Sequence, residues 1–141
     1  MSKKAVRLMP CLSFRQPFAA AVLSGAKRWE NRTWGTAHRG DVLVHASASR
    51  ASLGAELPYG YAPKGGLIFG AVIGVVEVVD VVPFDESMDL WASGPLCWRL
   101  ANPRRFVEPY PYRGQPGHLF GVPIDAALAR LLRTVVAPGA E

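Results

Sequence analysis

A chain of 141 residues, half of them apolar and 19% charged, has enough material for one packed globular domain over 1–141. Its net charge of +5 is uneven: residues 1–50 hold nine Lys/Arg and two Asp/Glu (+7), and residues 51–141 hold seven and nine (−2). That asymmetry suits either an anionic partner, nucleic acid first, or a plain basic surface.

In chain order, residues 1–8 read as a loose basic arm with no apolar leader run behind it, and a cytoplasmic protein is expected. Residues 11–14 form a short strand. Gln16-Pro17 opens a helix whose continuous apolar run, 18–23, predicts burial on all sides, and Gly25 suits its left-handed C-cap. Residues 28–34 alternate as a strand, with Arg28, Glu30, Arg32 and Trp34 on one face and Trp29, Asn31 and Thr33 on the other. His38-Arg39-Gly40 is a turn. The strand that follows, 41–47, puts Val42, Val44 and Ala46 together. A short helix is expected at 48–56 and a loop at 57–66.

The most apolar run, 67–82, contains Glu77 and Asp80 and many β-branched residues. It reads as core strand rather than membrane span, with Gly70 and Gly74 marking a bulge or corner. An acidic connection spans 83–93. A strand at 96–100 is broken by Asn102-Pro103, 106–112 is extended, and 118–122 is the last strand. Asp125 caps a final helix to about Leu132. The sum is an α+β fold: five to seven short strands in a small closed sheet flanked by two or three helices.

The stretch Gly25-Ala26-Lys27-Arg28-Trp29-Glu30-Asn31-Arg32 carries the chemistry. A carboxylate between Lys27 and Arg32 is held ionised, and the trio offers donors and an acceptor along one edge, which is what a nucleobase presents. Trp34 supplies a stacking face, and Arg15 and Arg39 supply phosphate contacts. The same spacing also describes a solvated surface ion pair worth about 0–1 kcal/mol, and Trp34 and Trp98 equally suit a core. Arg104-Arg105 reads either as a second phosphate contact or as a solvated turn. Cys11 and Cys97 sit among apolar residues and read as buried free thiols. His38, His45 and His118 lack metal-ligand spacing, and no phosphate-binding glycine loop occurs, so neither metal nor cofactor is implied.

Residues 25–32 resemble the Gly-x-Lys-x-x-Glu-x-Arg signature of the ASCH domain family of the PUA-like superfamily. Cys11-Leu12-Ser13-Phe14-Arg15-Gln16-Pro17-Phe18-Ala19 is similar to the family's opening strand and helix start. Its Leu-Ser-Phe-Arg-Gln-Pro is shared with the endothelium and lymphocyte associated ASCH proteins. Arg39-Gly40-Asp41 with Leu43 to Ser47, Gly70 to Val76, Cys97-Trp98, Asn102-Pro103 and Pro109 to Gly114 resemble later segments in order. The resemblance implies a PUA-like β-barrel with a cleft beside the first helix. It implies RNA or a modified nucleobase as ligand, bound by Lys27, Glu30 and Arg32, with Arg15 and Arg39 at phosphate and Ser13, Gln16, Trp34 and Ser47 as lining.

One branch of that family consists of N4-acetylcytidine amidohydrolases, whose proposed trio is Lys, Thr and Glu. The Lys falls on Lys27, but the Thr position holds Glu30, so the hydroxyl would have to come from Thr33, Ser13 or Ser47. In that reading Lys27 and Glu30 are catalytic. A third class is a protein-interaction module, because the family includes parts of transcription coactivators.

Overall fold

The computed structural model describes residues 6–139. The strands are β1 (Leu8–Phe14), β2 (Trp29–Arg32), β3 (Gly40–Ala46), β4 (Ala71–Pro83), β5 (Leu96–Pro111) and β6 (Phe120–Pro123). The helices are α1 (Phe18–Ser24) and α2 (Ala126–Arg133), with one 3-10 turn at Pro58–Gly60. All six strands form one mixed sheet in the order β2-β5-β4-β3-β1-β6, in which only β1 and β3 run parallel. The expected α+β, barrel-like sheet with flanking helices is what forms, but backbone pairing does not close the ring: β2 and β6 are its two edges.

Alternation along β3 sorts the core into two layers. Val42, Val44 and Ala46 face α1, where Ala19, Val22 and Leu23 pack with Leu12, Phe14, Val76 and Trp98. Leu43 faces the other way, where Leu128 and Leu131 of α2 pack with Cys11, Val72, Val75, Phe120 and Val122. Burying a side chain of this size contributes roughly 1.5–3 kcal/mol, so the two layers supply the main driving force for folding. Helix α1 ends where expected, at a left-handed Gly25 (φ 86°). Helix α2 starts where expected, with the Asp125 carboxylate accepting from Leu128 N at 2.8 Å.

Several sequence expectations are corrected. The arm at 1–8 lies largely outside the described residues, but Leu8 already belongs to β1 and Arg7 O accepts from Ile124 N. The helix expected at 48–56 is a run of turns. Ser47 Oγ accepts from Ser49 N and Ser49 Oγ from Ala51 N, so hydroxyls take amides that a helix would need. Asn102-Pro103 does not end its strand. Asn102 adopts φ 53° and the pair is absorbed as a bulge opposite Val76, so β5 continues to Pro111.

The long apolar strand starts at Ala71, not 67, and bulges beside Gly74 as foreseen. A Cβ on Gly74 would lie 2.4 Å from Arg104 O and 2.8 Å from Leu23 Cδ1, so only glycine lets β5 and α1 approach this closely. Cys11 and Cys97 are buried free thiols. No described helix is long and apolar enough to cross a membrane.

Candidate functional site

Strand β6 pairs with β1 only from Leu8 to Cys11, leaving the outer edge of Leu12 to Phe14 without a strand neighbour. On the far side of the sheet, β2 pairs only with β5. The sheet curls enough to bring these two edges together, and Arg32 spans the seam: its Nη2 donates to Ser13 O at 2.6 Å. Lys27, Glu30 and Arg32 line the seam where the barrel lacks a backbone ladder.

The trio is an internal network rather than a solvated surface pair. Lys27 is 3% exposed and Glu30 is 8% exposed. Glu30 Oε2 accepts from Arg32 Nε at 3.0 Å and Nη2 at 2.7 Å. Glu30 Oε1 lies 3.5 Å from Lys27 Nζ and accepts from Asn31 N at 3.2 Å. Lys27 Nζ also donates to Trp29 O. Burial pushes the Lys27 ammonium below its ordinary pKa, and neighbouring Glu30 opposes that shift.

Aromatic faces surround both cations. Lys27 Nζ is 5.8 Å from the centre of the Phe18 ring and 5.7 Å from that of Trp91. The Arg32 guanidinium carbon is 5.8 Å from Phe14 and 5.7 Å from Trp34. Such contacts between cations and ring faces are worth about 0.5–2 kcal/mol each and fix the cations in place. Trp34 also packs edge-on against Trp98, so it serves core and seam together.

The other expected site residues are distributed differently. Ser13 reaches the network through its carbonyl. Its hydroxyl lies on the opposite face, 3.0 Å from His45 Nδ1. His45 Nε2 is 2.7 Å from Tyr112 O, which can only accept, so Nε2 carries the proton and the Ser13 hydroxyl donates to Nδ1. Gly114 packs over this pair: a Cβ there would fall 2.5 Å from Ser13 Oγ. Gln16, 1% exposed, ties α1 to the segment before β4 by donating to Ile68 O and accepting from Ala20 N.

Ser47 closes β1 to β3 by donating its amide to Phe14 O. Arg15 is exposed and forms no ion pair among the described residues. Arg39 donates to Thr36 O and His38 O and meets Asp80 at 3.4 Å, away from the trio's partners. Arg104 pairs with Asp41 at 2.6 Å, so its charge is matched.

Two neighbours of the trio carried no local sequence signal. Trp91, 60 residues from Asn31, is placed by it: the Asn31 amide donates to Trp91 O and its carbonyl accepts from Ser93 N and Gly94 N. Phe18 read only as part of an apolar helix. No cluster of metal-ligating side chains occurs among the described residues.

The chain is 27% identical over 128 residues to activating signal cointegrator 1 of Homo sapiens, and 26% identical over 128 residues to that of Mus musculus. In each case the match covers 75% of this chain and 21% of the relative, so the chain spans about a fifth of the length of these proteins. The family model for the ASCH domain matches residues 12–110, from β1 to the end of β5, and the chain belongs to the ASCH domain family.

Proposed function

We propose that the seam between β1 and β2 recognises a nucleobase of RNA, or a modified nucleoside, by its carbonyl-bearing edge. The observation that carries this reading is the state of Arg32. Nε and Nη2 are engaged by Glu30 and Ser13, whereas Nη1 has no hydrogen-bond partner among the described residues. A guanidinium with five donors, clamped by a carboxylate and two rings, offers its remaining N–H groups in a fixed direction. The ordering cost of binding is thereby met in advance. Base oxygens are suitable acceptors, and the basic half of the chain favours an anionic strand around them.

The test is fluorescence anisotropy with short single-stranded oligonucleotides across a salt series, comparing the unaltered protein with Arg32→Gln and Lys27→Met. Binding that weakens steeply with salt and is lost in Arg32→Gln supports the reading. Equal binding by all three proteins sinks it.

The lowered pKa of Lys27 favours a second reading, an amidohydrolase acting on an acylated cytidine with Lys27 as base. Two features weigh against it: Glu30 occupies the threonine position, and the Ser13 hydroxyl is turned to His45 under Gly114. Incubation with N4-acetylcytidine, following cytidine by chromatography, separates the two. Many turnovers, abolished in Lys27→Met, would establish the hydrolase and displace the binding reading. If neither nucleic acid nor nucleoside is engaged, a protein partner, in line with the name of the relatives, is the remaining class and is sought by pulldown.

A further inference from the structure

A concavity of about 630 Å³ opens between the C-terminal end of α1, the start of β2 and the bulge of β5. Its lining includes Ser24, Lys27, Arg28, Trp29, Arg99 and Asn102. Lys27 is common to this cavity and to the seam, since its ammonium reaches Glu30. Beyond Lys27 the character changes. Glu30 pairs in register with Trp98, which faces α1, so Trp29 and its partner Arg99 face the other way, in a cross-strand row that continues to Asp80.

The charges around the cavity and this row do not balance. Arg28 and Arg99 are exposed and form no ion pair among the described residues. Asp80 is held by Arg39 at 3.4 Å. The other carboxylate at the rim, Asp89, accepts from Trp91 N at 2.9 Å and faces the Lys27 ammonium. Arg99 is also held in direction, with its guanidinium carbon 5.8 Å from the centre of the Trp29 ring. In the cavity lining Arg28 and Arg99 stand against one carboxylate, Asp89, and Arg99 is oriented by an aromatic face; this arrangement fits a phosphate.

We propose that this cavity is a second subsite for single-stranded RNA, in which Arg28 and Arg99 hold a backbone phosphate next to the nucleotide recognised at the seam. The proposal rests on the RNA reading of the seam and gives Arg39 a place in it, as the outer cation of the same row. The seam would then read a base, while the row fixes the strand's direction and register without reading sequence.

The experiment uses the full chain and three proteins: unaltered, Arg28→Gln/Arg99→Gln, and Arg130→Gln/Arg133→Gln on α2 as a control with the same change in charge. Anisotropy of a labelled oligouridylate is followed across a salt series, and binding of the mononucleoside uridine is followed by NMR. The expected result is a fall in oligonucleotide affinity of about tenfold or more for the Arg28/Arg99 variant. Its salt slope should drop by about 1.4, two phosphate contacts at roughly 0.7 each. The nucleoside shifts should be unchanged, and the α2 control should lose much less. Unchanged oligonucleotide binding in the Arg28/Arg99 variant, or an equal loss in the control, overturns the subsite while leaving the seam reading intact. No oligonucleotide binding by the unaltered protein overturns the RNA reading itself, and the subsite with it.

Discussion

Arg32 on β2 donates to the carbonyl of Ser13 on β1, although three strands lie between β2 and β1 in the order of the sheet. A side chain therefore performs, at one point, the closure that backbone pairing performs in a complete barrel. For the proposed ligand this means that its contacts would fall beside a single side-chain bridge rather than along a continuous backbone ladder.

Arg32→Lys is expected to destabilise the fold by about 2–4 kcal/mol. An ammonium cannot reproduce the two bonds to Glu30 Oε2 together with the bond to Ser13 O, and it leaves a buried carboxylate short of donors. Urea unfolding at neutral pH checks this. A loss below 0.5 kcal/mol, taken as roughly the scatter of an ordinary surface substitution, would mean that Arg32 does not hold the seam.

Gly74→Ala and Gly66→Ala should separate sharply. The first places a methyl group 2.4 Å from a backbone oxygen that the β4–β5 ladder holds, so we expect a loss of about 2 kcal/mol or more. At Gly66 nothing lies within 4 Å and φ is unexceptional, so alanine should be neutral or stabilise by up to about 1 kcal/mol. Thermal and urea unfolding of both variants tests the pair; similar values for the two would contradict the tight contact at the bulge.

The elements that were legible in the sequence are those whose signals are local. Gln16-Pro17 and Gly25 bracket α1, Asp125 starts α2, and the alternation of Val42, Val44 and Ala46 fixes the faces of β3. Alternation also predicts that Glu30 and Arg32 share a face, and they meet there. The misses have non-local causes. Asn102-Pro103 looks like a strand end until its neighbour β4 supplies Val76 for a bulge to form against. Trp91 looks like a loop tryptophan until Asn31 fixes its backbone beside Lys27. Whether the sheet closes depends on which edges curl together, and no short window of sequence contains that information.

His45 should make stability fall on the acid side. Burial lowers its pKa from the ordinary 6.5, while its bond to Tyr112 O acts against that shift. With the native value depressed, the unfolded chain takes up the proton first. The stabilisation is complete above about pH 6.5 and is lost progressively as pH falls toward the native value, at no more than about 1.4 kcal/mol per pH unit for one group. Urea unfolding of the unaltered protein and of His45→Gln between pH 8 and pH 5 isolates the contribution. Parallel curves for the two proteins would show that His45 is not the group responsible.

Lys27→Met distinguishes a structural lysine from one kept for a ligand. The end of the methionine side chain would lie near the Phe18 and Trp91 rings that now flank Nζ, and Glu30 retains both bonds to Arg32, so no carboxylate is orphaned and only the Trp29 carbonyl loses a donor. The charge that burial disfavours is removed. Because the native pKa lies below 10.5, the unaltered protein should gain stability as pH rises from the native value toward 10.5, and the variant should lack that rise. At neutral pH we expect the two stabilities to agree within about 1 kcal/mol, since replacing a buried charge by a side chain of similar volume is often neutral. Ligand affinity should nevertheless fall about tenfold or more, the equivalent of one charge-assisted hydrogen bond of about 1.5–3 kcal/mol. Equal affinity combined with a large loss of stability would reverse the assignment and make Lys27 a strut of the seam.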